Sequence, residues 1–316
     1  MLSLTLEVGT AVLQSAGRAA HAIRESNLMD EAIFYQGKQH AVLLIPGLVG
    51  TPREMRFIAR ALVNEGYTVS VPAVPGYAMG SRATDWEAWL EILRGHYRVL
   101  QETHDTVSVG GLCIGGTLAL ALAAREPSVT SLALYAITLK WDGWAIPWYR
   151  FLFDYLYHTP IGKRFAFFER EPFGLKNEAL RARVAKAMRE KSGSEVGEAS
   201  TSSQHIYQAR QLAKYVESQL SHIKSDCLMI HGVDDDTTSP RNTMRVHDTI
   251  GSPIKRKILL DDCYHIITMD NERETVASET VAFFRDSIRR RTGTGRASET
   301  HIISKALRRA QRNVKR

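Results

Sequence analysis

A cysteine framed by glycines is the feature of this chain most suited to chemistry. The run Val109-Gly110-Gly111-Leu112-Cys113-Ile114-Gly115-Gly116-Thr117 contains G-x-C-x-G between a β-branched stretch and an Ala/Leu-rich one. Strand is therefore expected to pass into helix with no loop between them. In such an elbow the nucleophile sits on a tight, strained turn at the tip of a sheet. Gly111 and Gly115 must then lack side chains so that strand and helix can approach. Cys113 falls at the start of the helix, where the dipole and free N–H groups favour a thiolate.

A thiol nucleophile needs a base, and the base needs an orienting acid. Downstream, Ile230-His231-Gly232-Val233-Asp234-Asp235-Asp236 ends one predicted strand and Leu260-Asp261-Asp262-Cys263-Tyr264-His265 ends another. The order nucleophile, acid, histidine is that of a hydrolase triad on an α/β sheet. His265 is the expected base. Asp235 is the favoured acid, with Asp234 and Asp236 as alternatives. Asp261 and Asp262 are too near His265 in sequence to be preferred.

The turn Ile45-Pro46-Gly47-Leu48-Val49-Gly50 completes the set. The backbone N–H groups of Leu48 and Ile114 are expected to converge on a developing oxyanion.

These groups need elements to position them. The pattern predicts strands over 32–36, 41–45, 68–71, 106–109, 131–137, 227–230 and 256–260. Helices are predicted over 51–65, 85–102, 114–125, 241–250 and 272–291. Such alternation implies a mainly parallel sheet with helices on both faces. Residues 1–31 read as an amphipathic helical lead-in. Residues 32–139 and 223–291 form the α/β core. Between them, 140–222 shows no strand pattern, is rich in aromatics at its start, and is expected to be a helical cap. Within it, 191–203 is Ser/Gly/Glu-rich and reads as a loop. Residues 292–316 form a basic tail.

The 316 residues suffice for a large core, and 44% hydrophobic with 24% charged residues excludes collagen-like, coiled-coil and wholly disordered chains. The net charge of +7 conceals a division. Residues 289–316 hold ten Lys or Arg against Glu299 and carry +9, which leaves −2 on the remainder. The body is thus a poor nucleic-acid surface, whereas the tail can meet an anionic membrane or an acidic protein. No apolar run is long enough to span a bilayer. The early Glu7 and late Arg18 and Arg24 do not fit an export signal. Three cysteines without CxxC spacing suggest neither a zinc site nor a disulfide framework, and a cytoplasmic location, either free or peripheral to a membrane, is expected. No metal or organic cofactor is expected.

The segments LLIPGLVGTPREM, GLCIGG, HGVDDD and HIITMD together resemble the α/β-hydrolase superfamily over about residues 32–290. Within it the chain is similar to small bacterial carboxylesterases and monoacylglycerol lipases. Two positions depart from that pattern. Such esterases usually have His-Gly at the oxyanion turn, where this chain has Pro46-Gly47, and Ser at the elbow, where it has Cys113. A Cys elbow followed by Gly-Gly-Thr-Leu resembles polyhydroxyalkanoate synthases instead. The resemblance implies hydrolysis of a small ester or thioester through a Cys113-His265-Asp235 triad. The alternatives are acyl transfer from the same thioester and a degenerate fold used only for binding.

Overall fold

The computed structural model describes residues 32–293, apart from 161, 169, 192, 195, 196 and 199. The expected lead-in over 1–31 and nearly all of the basic tail lie outside the described residues. In chain order the first half contains β1 (Ile33–Tyr35), β2 (His40–Ile45), a 3-10 turn (Pro52–Met55), α1 (Arg56–Asn64), β3 (Thr68–Val71) and α2 (Trp86–Thr103). It continues with β4 (Thr106–Leu112), α3 (Ile114–Arg125) and β5 (Ser131–Tyr135). The intervening segment holds α4 (Phe153–Leu156), β6 (Ala166–Phe168), α5 (Glu178–Lys191), β7 (Gly193–Ser194), β8 (Gly197–Glu198), β9 (Ser200–Ser202) and α6 (Ser203–Gln219). The chain then returns to the sheet with β10 (Asp226–Gly232), α7 (Arg241–Thr249), β11 (Lys255–Leu260) and α8 (Arg273–Thr292).

Seven strands form one sheet in the order β1-β3-β2-β4-β5-β10-β11. Every pairing is parallel except β1 with β3. The mainly parallel sheet is the one the alternation implied, and its architecture is the α/β-hydrolase fold expected from the resemblance. β2 is apolar from Ala41 to Ile45 and β4 is buried along its whole length because helices cover both faces of the sheet. β11 lies at the sheet edge, and its Lys255, Arg256 and Lys257 suit a strand that must not pair with another chain.

Strand order fixes where a ligand can enter. The crossover from β2 through α1 runs toward β3, whereas the crossover from β4 through α3 runs the opposite way, to β5. Right-handed connections then place α1 and α3 on opposite faces of the sheet. A crevice opens between the carboxyl ends of β2 and β4, at the point where the winding reverses. Ile45 is opposite Gly111 in that pairing, so the residues two further on, Gly47 and Cys113, come side by side at its mouth.

The intervening segment differs from expectation. Two short antiparallel ladders occur where no strand pattern was read, β6 with β9 and β7 with β8. They are two or three residues long, too short to show a period in the sequence. α6 falls inside the 140–222 span, yet it packs against α3 and α2 of the core. Trp86 on α2 stacks on Tyr215 of α6 at 4.9 Å. The apolar stripe of α6 thus belongs to the body's helical layer.

Candidate active site

Cys113 occupies the turn between β4 and α3 with φ 56° and ψ −122°. That conformation costs a non-glycine residue about 1–3 kcal/mol and is held by its surroundings. The Cys113 N–H donates to the Tyr135 carbonyl at 2.9 Å, and its carbonyl accepts from Gly116 at 3.1 Å. A β-carbon on Gly111 would overlap the Gly115 backbone, and one on Gly115 would overlap the Pro46 carbonyl. The two glycines therefore let the helix, the strand and the neighbouring Pro46-Gly47 turn converge on the sulfur. The Thr138 hydroxyl lies 3.3 Å from the Cys113 sulfur.

At the end of β2, Val49 takes a positive φ of 50°. The Gly47 N–H donates to Glu54 Oε2 at 2.8 Å, that of Val49 to the Tyr77 carbonyl at 3.1 Å, and that of Gly50 to the Gly47 carbonyl at 3.0 Å. Among the described residues, neither the Leu48 nor the Ile114 N–H finds an acceptor. They are the two donors expected at an oxyanion site.

Glu54 was not legible as a site residue. The spacing Thr51…Glu54 reads as a helix-capping pair, which ordinarily faces solvent. Here Glu54 is buried beneath the turn, accepting from Gly47 and, at 3.3 Å, from the Thr51 N–H. Burial pushes its carboxyl up to about 8, against those two N–H bonds and the nearby His265 charge. Glu54 therefore holds its proton more tightly when folded than at its ordinary 4.5. Its contribution to stability is complete below pH 4.5 and is lost as pH rises toward 8. Urea midpoints taken between pH 5 and 8 should fall more steeply for the native protein than for Glu54→Gln. The difference should be on the order of a few kcal/mol. Parallel curves would show that Glu54 does not titrate in this window.

The three consecutive aspartates have separate fates. Asp234 is exposed and pairs with Lys176 Nζ at 3.1 Å. Asp236 is buried, and its Oδ2 accepts from the Gly174 N–H at 3.1 Å. Burial pushes the Asp236 carboxyl up, and the Asp235 charge adds to that. Asp235 Oδ2 lies 2.8 Å from His265 Nδ1, while Oδ1 accepts from the Thr237 and Thr238 N–H groups at 2.8 and 2.7 Å. Burial opposes the charge on Asp235, but His265 and His231 outweigh it and hold the carboxyl well below its ordinary range.

His231 also reaches the acid. Its Nε2 is 2.9 Å from the Thr238 carbonyl and 3.2 Å from Asp235 Oδ2, both acceptors, which places the ring hydrogen on Nε2. Nδ1 then accepts from the Thr243 hydroxyl at 2.7 Å.

His265 is buried, which alone would push its imidazole down. The Asp235 carboxylate and then the Cys113 sulfur reverse that and hold it well above the ordinary histidine value. With Nδ1 bound to Asp235, Nε2 is the nitrogen left for the sulfur, and it forms no regular hydrogen bond to any other group. The loop carrying His265 is tied down by Asp270. That buried carboxylate accepts from the N–H groups of Tyr264, Lys176 and Asn177, each at 2.8 Å, and of Asn271 at 3.0 Å. It thereby joins the histidine loop to the middle of the intervening segment, just before α5, where the Ile266 N–H donates to the Gly174 carbonyl.

Cys113, Asp235 and His265 are thus brought together, beside Leu48 and Ile114 at the ends of β2 and β4. Cys227 and Cys263 lie elsewhere, and burial pushes both thiols well up. Among the described residues no group of three or more His, Cys, Asp or Glu side chains is placed to hold a metal ion.

The family model Hydrolase_4, described as serine aminopeptidase S33, matches residues 36–272. The thermostable monoacylglycerol lipase of Bacillus sp. (strain H-257) is 23% identical over 257 residues, covering 80% of this chain and 94% of the relative. A solved structure of the metagenome-derived lipolytic enzymes described as LipS and LipT superposes with a TM-score of 0.69 at 23% identity, covering 81% of this chain and 97% of that one. The monoacylglycerol lipase of Paleococcus ferrophilus gives 0.68 at 16% identity, covering 81% and 98%.

Proposed function

The chain belongs to the Hydrolase_4 family, and from that membership and the site geometry we propose that it hydrolyses carboxylic esters or thioesters through an acyl-enzyme on Cys113. The observation that carries the reading is the 2.8 Å contact between His265 Nδ1 and Asp235, which leaves the other imidazole nitrogen for the Cys113 sulfur. His265 takes the thiol proton, and the thiolate attacks the acyl carbonyl. The Leu48 and Ile114 N–H groups hold the oxyanion. His265 then gives its proton to the leaving alcohol or thiol, and on the return step it takes one from the water that releases the acid. The family description names a serine enzyme, so cysteine at position 113 is this chain's departure.

The cysteine also favours a second reading. A thioester resists water longer than an oxygen ester while staying open to other nucleophiles, so an alcohol, amine or thiol can intercept it. Product analysis over time, with and without such acceptors, separates the two. Free acid alone supports hydrolysis, whereas acceptor-linked acyl product in excess of acid supports transfer.

A lipid ester is the substrate class that fits the surface. Trp148, Tyr155 and Phe168, in the segment that follows β5, are 79%, 76% and 73% exposed. Phe151, Phe165 and Tyr149 beside them in sequence are also exposed. Aromatic side chains of this kind bury readily at a lipid interface, where each is worth roughly 1.5–3 kcal/mol if fully covered. The basic tail adds attraction to an anionic surface. Replacing Trp148, Tyr155 and Phe168 together by Ser should lower hydrolysis of a monoacylglycerol in anionic vesicles at least about tenfold. Turnover of a short water-soluble ester should stay within twofold. Equal effects on both substrates would show that the aromatics serve the fold and not the lipid.

A further inference from the structure

The sulfur of Cys113 has a polar neighbour that the triad does not include. Thr138 lies three residues beyond β5 in a fully buried position. Its carbonyl accepts from the Thr117 hydroxyl at 2.7 Å. The next two N–H groups, of Leu139 and Lys140, both donate to Asn242 Oδ1, at 3.0 and 2.8 Å. On the preceding side the Ala136 N–H donates to the Ile230 carbonyl at 2.8 Å, so the backbone is pinned on both sides and the side chain is presented to the elbow. From there the Thr138 hydroxyl is 3.3 Å from the Cys113 sulfur and 3.2 Å from the Ala136 carbonyl oxygen.

A hydroxyl has one proton to donate, and here two acceptors compete for it. We propose that the Thr138 hydroxyl is a two-position donor, turned to the Cys113 sulfur when the sulfur is anionic and to the Ala136 carbonyl when the sulfur is protonated or acylated. The inference rests on Cys113 as the nucleophile. Its physical basis is the strength of a hydrogen bond to a charged acceptor, roughly twice that of a neutral one. An anionic sulfur outcompetes the carbonyl. A thiol can instead donate its own hydrogen to the Thr138 oxygen, and a thioester sulfur is a weak acceptor, so in both states the hydroxyl returns to Ala136. No proton is transferred to or from Thr138 at any stage. Its rotation makes the free thiolate easier to form and easier to expel from the tetrahedral adduct. Thr138 contacts the reacting atom, and its role is specific to a sulfur nucleophile that must leave as an anion.

The other titratable groups around the sulfur are His265, Tyr77 and, through the Gly47 turn, Glu54. None is altered by a change at position 138, so a pH profile isolates the hydroxyl. The test is the rate of iodoacetamide alkylation of Cys113 in the intact protein against pH, followed by peptide mass. In Thr138→Val, which keeps the shape and loses the hydroxyl, the pH of half-maximal rate should rise by about one unit, a tenfold loss of reactive sulfur at acid pH. Thr138→Ser, which keeps the hydroxyl, should stay close to the native profile. If Thr138→Val does not fold, Thr138→Ala carries the same expectation. A Val or Ala profile that superimposes on the native one, or a Ser profile displaced as far as Val, overturns the proposal. Ester hydrolysis that survives alkylation of Cys113 in the native protein instead strikes the nucleophile assignment, and the displacement between variants is still read.

Discussion

Cys113→Ala is expected to lose ester hydrolysis by a factor on the order of 10⁵–10⁶, and His265→Ala by a similar factor, with the fold of both intact. The two effects should not add in the double variant, because nucleophile and base act as one unit. The residual rate would come from the oxyanion donors and from binding. Cys113 is 9% exposed at the mouth of the crevice, and its Ala variant keeps the β-carbon while the turn stays held by its backbone bonds to Tyr135 and Gly116. Alkylation should follow the same pattern. Cys227 and Cys263 are buried and their thiols are held protonated by burial, so iodoacetamide should inactivate through Cys113 first. Faster modification of either of the other two, with activity retained, would contradict the assignment.

Among the three aspartates, Asp235→Asn should lower kcat by about 10⁴, the loss seen when a triad histidine is left in the wrong tautomer. The cause is local. Asn presents either an oxygen or an NH₂ group to each neighbour. It cannot accept from His265 Nδ1 through one atom and from the Thr237 and Thr238 N–H groups through the other. Its amide would turn the imidazole or leave two buried donors unmet. Asp234→Asn should change kcat less than about threefold, because Asp234 is an exposed partner of Lys176 and exposed pairs are worth little. Asp236→Asn should fall nearer to Asp234 in its effect on kcat, since its carboxyl accepts from the Gly174 backbone and not from His265 Nδ1, which Asp235 holds. Equal, mild losses at all three positions would place the acid elsewhere.

The fold was legible because its signals are local and repeated. Strands such as Ala41 to Ile45 are apolar throughout since they are covered on both faces, and G-x-C-x-G has few uses between strand and helix. Asp235 was favoured in the sequence, but Asp234 and Asp236 stayed as alternatives, because adjacent residues in a loop differ only in backbone direction. Asp235 points inward because Thr237 and Thr238 fold back onto its side chain. Glu54 and Thr138 were hidden for another reason. Each is a common residue type with no spacing that marks it as a site residue, and becomes notable only when the fold buries it beside the elbow or the neighbouring turn. α6 misled in the same way. Its sequence follows the intervening segment without a break, but its stripe packs on Trp86, more than one hundred residues away.

The most direct test of the central claim is the mass of the intact protein, followed by peptide mapping, after brief exposure to a panel of acyl esters and thioesters at several chain lengths. A thiol acyl-enzyme predicts one added acyl group on the peptide containing Cys113. The adduct should decay in step with release of acid, be absent from Cys113→Ala, and persist longer in His265→Ala when loaded by an activated ester. Turnover of the same esters with no adduct on Cys113 at any time, or with the acyl group on a different residue, would contradict it.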